Sequence, residues 1–329
     1  MTMMPTRLPS RRGVLGAAAA LPLLSACSPR AAADRSLKAA TLRVATYKGG
    51  VQSFFDAAGV ADTPYRIAYS EFAGGNLITE AIGAKAIDVG SMSEIPPIFV
   101  AATQPSLRLV AVLRGDVNNQ VALTPKDSTL RNLGELKGKR IGYVRATTSH
   151  YFLLRLLREQ GLSFTDITPI ALTPQDGLAA FGRGALDGWV TYGVQSNLAR
   201  ARFGARVLTT ALGRLSGNYI YAASKDSLGD PIRRAAIADY LGRVRRAYAW
   251  AEVHPDAWAA LVGKATGVPA DLYLQQFRER SGPTLLGPVD DAAIRSQQSV
   301  ADGFAQAGVT PGRVEVAPLW DRSLSAAVS

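Results

Sequence analysis

The chain has 329 residues, 47 % of them hydrophobic and 19 % charged, a composition with room for two domains that excludes a disordered or collagen-like protein. Its net charge of +11 raises the question of nucleic acid, but Arg7, Arg11 and Arg12 carry three of those charges in a segment without acids, leaving +8. The others recur singly along helical stretches such as "IRRAAIADYLGRVRRAYAW", with no basic block interleaved by aromatics, so nucleic acid is excluded as a partner.

The first element is a targeting segment. After Arg12 an apolar run, "GVLGAAAALPLL", is too short to span a bilayer, which takes about 20 residues. It ends in Leu24, Ser25, Ala26 and Cys27, which resembles a lipobox, so residues 1–27 are expected to be a signal peptide whose Cys27 is lipidated. The paired arginines resemble a twin-arginine export signal; a plain secretory peptide is the alternative. Cys27 is the chain's one cysteine, so no disulfide forms within it and the mature body has no thiol for catalysis. Residues 28–40, "SPRAAADRSLKAA", suit a tether.

From Thr41 short β-like runs alternate with amphipathic segments. "TLRVATY", "YRIAYSEF", "IDVGSM", "LRLVAVL", "VALTPK", "RIGYVR", "ITPIAL", "DGWVTY", "ARVLTT" and "NYIYAAS" are strands by length and β-branched content. "LITEAIGAKA" and "YFLLRLLREQG" are helices between them, and after Pro231 the pattern is helical only. Such alternation predicts an α/β fold with largely parallel sheets. An internal repeat divides it. "AIGAKAID" (81–88) and "AFGRGALD" (180–187) share one frame, in which the Gly ends a helix and the Asp opens the next strand, so two similar lobes with a cleft are expected.

"EFAGG" (71–75), "AIDVGSMSEIPPIFVAA" (86–102) and "TLRNLGELKGKRIGYVRATTSHYFLLRLLREQGLSFTDITPIALTPQDGLAAFGRGALDGW" (129–189) carry a family resemblance. Together with the lipoprotein leader they resemble the aliphatic-sulfonate-binding proteins of ABC importers, in the type II periplasmic-binding-protein superfamily that also holds taurine, nitrate and thiamine-precursor binders. The resemblance implies a two-lobed α/β fold, with lobe 1 at 41–123 plus 226–329 and lobe 2 at 124–225. Two crossover strands, "VALTPK" and "NYIYAAS", would be the hinge. It implies a small organic anion such as an alkyl or aryl sulfonate as ligand, a membrane permease as partner, an extracytoplasmic location and no cofactor or metal. The alternatives are nitrate, taurine or a pyrimidine, or a desulfinase-like enzyme.

A helix N-terminus offers unpaired backbone N–H groups and the positive end of the dipole, so it binds anions without a lysine or arginine. Three helix starts follow strands: Gly75 and Asn76 before "LITEAI", Ser91, Ser93 and Glu94 before "PPIF", and Thr148, Ser149 and His150 before "YFLLRLL". Strand ends are where ligands sit in open α/β sheets, so these loops are expected to converge on the cleft. "TTSH" is then a socket for a tetrahedral head group, with two hydroxyl donors and one ring donor; ordinary capping is the competing reading. Lys48 and Gly49 end the first strand where the family has a ligand-facing loop. Trp189 offers a flat surface to an organic tail, against plain core packing. Where relatives read Trp-Asp-Pro, this chain has Tyr192, Gly193 and Val194, which removes a partner for a substrate ammonium unless Glu94 compensates. Tyr192 is counted among the ligand positions.

An enzyme is not expected. The sequence shows no metal-ligand spacing, G-x-S-x-G elbow or phosphate loop, and His254 lies far from His150.

Overall fold

In the computed structural model residues 37–329 are described; the expected signal peptide, Cys27 and most of the tether lie outside them. The tether ends earlier than expected, because residues 37–39 form a helical turn and Leu37 and Ala40 pack on the core.

All ten expected strands form. The first sheet contains β1 (Thr41–Thr46), β2 (Arg66–Glu71), β3 (Val89–Ser93) and β4 (Leu107–Arg114). The second contains β5 (Gln120–Thr124), β6 (Arg140–Tyr143), β7 (Thr168–Ala171), β8 (Gly188–Tyr192) and β9 (Arg206–Thr210). The chain then returns to the first sheet with β10 (Asn218–Ser224), and a short β11 (Leu285–Gly287) closes its edge. β11 corrects the reading of the C-terminal part as helices only: three residues are too few to show a period. The orders are β11-β4-β10-β3-β1-β2 and β7-β6-β8-β5-β9.

The sheets are mixed rather than largely parallel. β1 pairs parallel with β2 and β3, and β6 parallel with β7 and β8. β10 runs antiparallel to β3 and β4, and β5 antiparallel to β8 and β9. The reason is topological. β5 and β10 are the strands by which the chain enters each sheet from the other one, without the helical crossover that makes neighbours parallel. The chain therefore changes sheet at 115–119 and 211–217, ahead of the expected boundaries at 123/124 and 225/226.

Helices cover both faces of each sheet. On the first lie α1 (Gly75–Gly83), α2 (Pro96–Val100), α6 (Lys225–Gly229), α7 (Pro231–Val253), α8 (Pro255–Thr266), α9 (Ala270–Arg278) and α10 (Asp291–Gln306). On the second lie α3 (Thr148–Glu159), α4 (Pro174–Gly182) and α5 (Gly193–Phe203). One core of the first sheet joins Val44 and Val110 to Tyr240 and Val244 of α7, and the other joins Ile78, Met92 and Leu109 to Phe304 of α10. The second sheet packs Ile141 and Val190 on Phe152 and Leu156 of α3, and Val121 and Trp189 on Phe181 and Ala199.

The repeat is visible as β2-α1-β3 and β7-α4-β8. Its Asp does the same work twice: Asp88 accepts from the Arg43 backbone (3.0 Å), Nε (3.0 Å) and Nη2 (2.6 Å), and Asp187 from the same three donors of Arg140 (2.8, 3.1 and 2.8 Å). Its Gly ends the helix as expected, Gly83 being the last residue of α1 and Gly182 the last of α4, and it is also closely packed. A Cβ on Gly83 would stand 2.6 Å from the Gln104 side chain, and one on Gly182 2.5 Å from the Phe203 ring. Close packing therefore sets that residue, while the left-handed turn falls two residues on, at Lys85 (φ 59°) and Gly184 (φ 70°).

Candidate functional site

Between the two sheets lies a cavity of about 580 Å³. Both sheets build it at the carboxyl ends of their parallel strands, where helices begin. Helix α1 starts at Gly74, whose extended backbone (φ −163°) supplies no capping side chain, so its first N–H groups stay unsatisfied by the protein's side chains. Gly75 lines the cavity, and a Cβ there would meet Met92 Cβ at 2.8 Å and Pro96 Cγ at 3.0 Å. Only glycine fits. The Tyr47 hydroxyl lies 3.4 Å from that Cβ position, and the hydroxyl of Tyr192, from the other sheet, 3.7 Å from the equivalent point on Gly74.

Helices α3 and α5 begin the same way. Thr147 and Tyr192 are their N-caps, both extended and neither capping with its side chain. Thr147 and Thr148 reach the cavity together with Tyr192 and 193–195. The Thr148 hydroxyl donates to Gln120 Oε1 (2.7 Å), and Gln120 Nε2 donates to the Tyr219 hydroxyl (2.8 Å), a chain that ties the second sheet to the first. Three helix starts without side-chain caps thus face one cavity.

Of the expected positions, Lys48, Gly49, Gly75, Ser91, Ser93, Thr148 and Tyr192 line the cavity, with Lys48 exposed. Asn76, Glu94, Ser149, His150 and Trp189 do not, and each departure has a cause. Ser149 turns inward, donating to the Val190 carbonyl (2.6 Å) and accepting from Val144 N–H (3.0 Å). His150, 4 % exposed, sits among Phe99, Tyr143, Phe164 and Phe304, with its Nδ1 accepting from Ala146 N–H (3.3 Å). Burial first, and the nearby Arg145 charge second, hold its pKa at about 4. It is a neutral ring wedged between the sheets, not the expected donor in the socket.

Glu94, 4 % exposed, accepts from Ser216 (2.6 Å) and Ser296 (3.1 Å), and burial raises its pKa against those hydrogen bonds. Facing these groups, it does not present its carboxylate to the cavity, whose acidic lining residues are Glu71, Asp116 and Glu252. Trp189, 1 % exposed, is core, tilted against Phe181 at 5.7 Å. Asn76 folds back toward Gly74, its Oδ1 2.7 Å from where a Cβ would stand.

Sequence reasoning missed Tyr47, Gln120 and Tyr219, and the aromatic wall of Tyr248, Trp258 and Phe277. A signal existed for the first three, since Tyr47 precedes Lys48 and the other two open the crossover strands. Burial pushes the Tyr192 phenol up to about 12, with a Thr147 hydrogen bond opposing it, and the Tyr248 phenol also to about 12. Burial and neighbouring tyrosines likewise raise Tyr47. The phenols therefore stay protonated. Helix dipoles and neutral hydroxyls together make a site for an anion, with Glu252 and Arg280 on the wall neutralising each other (2.7 Å).

Two α/β sheets with the cavity between them make this a two-lobed periplasmic-binding-protein fold. The chain belongs to the NMT1/THI5 like family, whose model matches residues 41–258. It is 32 % identical over 256 residues to a putative aliphatic sulfonates-binding protein of Escherichia coli K12, covering 76 % of this chain and 78 % of that one. Among solved structures it is similar to the alkanesulfonate-binding protein SsuA from Xanthomonas axonopodis pv. citri bound to MOPS, with TM-score 0.78 and 27 % identity over 86 % of this chain and 99 % of that one. The periplasmic aliphatic sulphonate binding protein SsuA from Escherichia coli gives TM-score 0.74 and 29 % identity over 86 % and 92 %.

Proposed function

We propose that this chain is the extracytoplasmic solute-binding component of an ABC importer and holds an organic sulfonate in the cavity between its sheets. The observation that carries the reading is the convergence of three helix starts without side-chain caps, α1 from one sheet and α3 and α5 from the other, around protonated phenols. A sulfonate stays ionised at every relevant pH, so it needs donors that never lose their charge state. Backbone N–H groups and neutral hydroxyls are such donors. Binding rather than turnover is supported by the relatives named above, which are binding proteins.

The two sheets are two lobes hinged at 115–119 and 211–217. A ligand held by Gly75 on one side and by Thr148 and Tyr192 on the other favours the closed arrangement by its differential affinity, and a permease reads that arrangement. Cys27 anchors the chain by lipid to the outer face of the membrane, and the paired arginines direct export.

A calorimetric screen of the mature chain against sulfonates, sulfate, nitrate and taurine tests the reading, with small-angle scattering on each binder. Sulfonate binding that compacts the protein and stays flat between pH 6 and 8 is expected. Binding of nitrate or taurine in preference to every sulfonate would replace it. The anchor is tested separately: Cys27→Ala should release the protein from membranes with its affinity unchanged.

A further inference from the structure

Resting on the sulfonate reading, we infer that the ligand's organic tail is an aromatic ring system, selected by an annex of the cavity built from α7, α8 and α9. Size is the first reason. A sulfonate with a two-carbon tail has about six non-hydrogen atoms; at a water's share of roughly 30 Å³ each it takes roughly 180 Å³. That leaves most of the 580 Å³ cavity without an occupant. The head-group end, with its helix starts and hydroxyls, has no use for that space.

The surface of the remaining space is the second reason. Tyr248, Trp258 and Phe277 line it from three successive helices and are half-buried, whereas the core aromatics Phe54, Phe55 and Tyr240 are at most 4 % exposed. Aromatic faces left open inside a cavity gain when an apolar group covers them and removes them from water. Their geometry favours a flat group. Trp258 stands edge-on to Tyr273 (5.9 Å, 79°) and tilted to Phe277 (5.6 Å, 48°), so its position is braced by other rings. Planar tails gain offset or edge-to-face contacts with such rings that a flexible alkyl chain does not.

The annex's charges are the third reason. The Arg280 guanidinium lies 3.5 Å from the Phe277 centroid and is held by Glu252 at 2.7 Å, while Glu252 also accepts from Thr284 N–H at 2.9 Å. Arg280 fixes the Phe277 ring, and Glu252 cancels its charge. A neutral ring system therefore leaves the Arg280–Glu252 pair intact, whereas a second anionic group would have to displace Glu252 and would face the Asp116 carboxylate, which accepts from Ser281.

The test is calorimetry with ethanesulfonate and naphthalene-2-sulfonate on the wild-type protein and on Trp258→Ala, Trp258→Phe and Phe277→Ala, with thermal melting to confirm that each variant folds. Wild type should bind the naphthalene ligand roughly thirtyfold tighter than the ethane one. Trp258→Ala and Phe277→Ala should each remove most of that preference by weakening only the aryl ligand, and Trp258→Phe, which keeps a ring, should retain part of it. Equal wild-type affinities, or a preference that survives both alanine variants, would overturn the inference and leave the sulfonate reading standing. If no sulfonate binds, the two fall together.

Discussion

The two sheets share one plan and use it differently. In both, the sequence-first strand of the repeat lies at the edge and a crossover strand follows its last one: β2-β1-β3-β10-β4 in the first, β7-β6-β8-β5-β9 in the second. Both fasten the plan with an Arg-Asp clamp. In the first sheet α6 and α7 come over the clamp, so the Asp88 side chain is 0 % exposed and also accepts from Ser227 (3.1 Å). In the second nothing comparable covers Asp187, which is 34 % exposed. The helix starts differ in the opposite sense. Thr173 caps α4 by accepting from Asp176 N–H (3.1 Å), while its counterpart Gly74 leaves α1 uncapped and open to the cavity. One repeat copy thus caps its own helix start, and the other leaves its start open to the cavity.

Removing the clamps is the strongest way to break this comparison. Asp88→Ala should cost about 2–3 kcal/mol in urea unfolding, because it leaves the Arg43 backbone N–H and the Ser227 hydroxyl without their acceptor at a buried position, while the half-exposed Arg43 guanidinium keeps the Lys85 carbonyl and water. Asp187→Ala should cost less than about 1 kcal/mol, its pair being open to water. Equal losses would mean that the covering helices contribute nothing.

His150, packed between the sheets, should make their junction acid-sensitive. Its pKa is near 6.5 in the unfolded chain and about 4 in the folded one, lowered by burial and then by Arg145. Above pH 6.5 both states are neutral and it adds no slope; as pH falls toward 4 the unfolded state takes the proton first, so stability drops by up to about 3 kcal/mol. Urea midpoints measured from pH 7 to pH 4 should therefore fall less steeply in His150→Phe than in wild type. Parallel curves would remove His150 from the junction.

The smallest effects sharpen the comparison of helix starts. Gly75→Ala should weaken sulfonate binding at least about tenfold, since its Cβ must push Met92 or Pro96 and disturb the amides at α1. Thr173→Ala should leave affinity untouched and cost about 1 kcal/mol of stability, the usual price of a lost cap. The reverse pattern would reassign the ligand to the second sheet's repeat.

The sequence by itself determined the strands, the repeat with Asp88 and Asp187, and the idea that small residues after strands mark an anion site, because β-branched runs and small residues at helix starts are local properties of the chain. It did not determine which way a side chain at those starts would face. Successive helical residues point about 100° apart, so Thr148 reached the cavity while Ser149 and His150 turned into protein. Which of them did so depended on where the neighbouring strands and α10 lay. Nor did it reveal the direction of β5 and β10, set by the chain's passage between sheets, or the aromatic annex. Tyr248, Trp258 and Phe277 read as ordinary amphipathic helix residues until α7, α8 and α9 folded over one end of the cavity. Only tertiary packing brings such distant positions to one surface, because the contacts that fix their arrangement are made between elements and not within them.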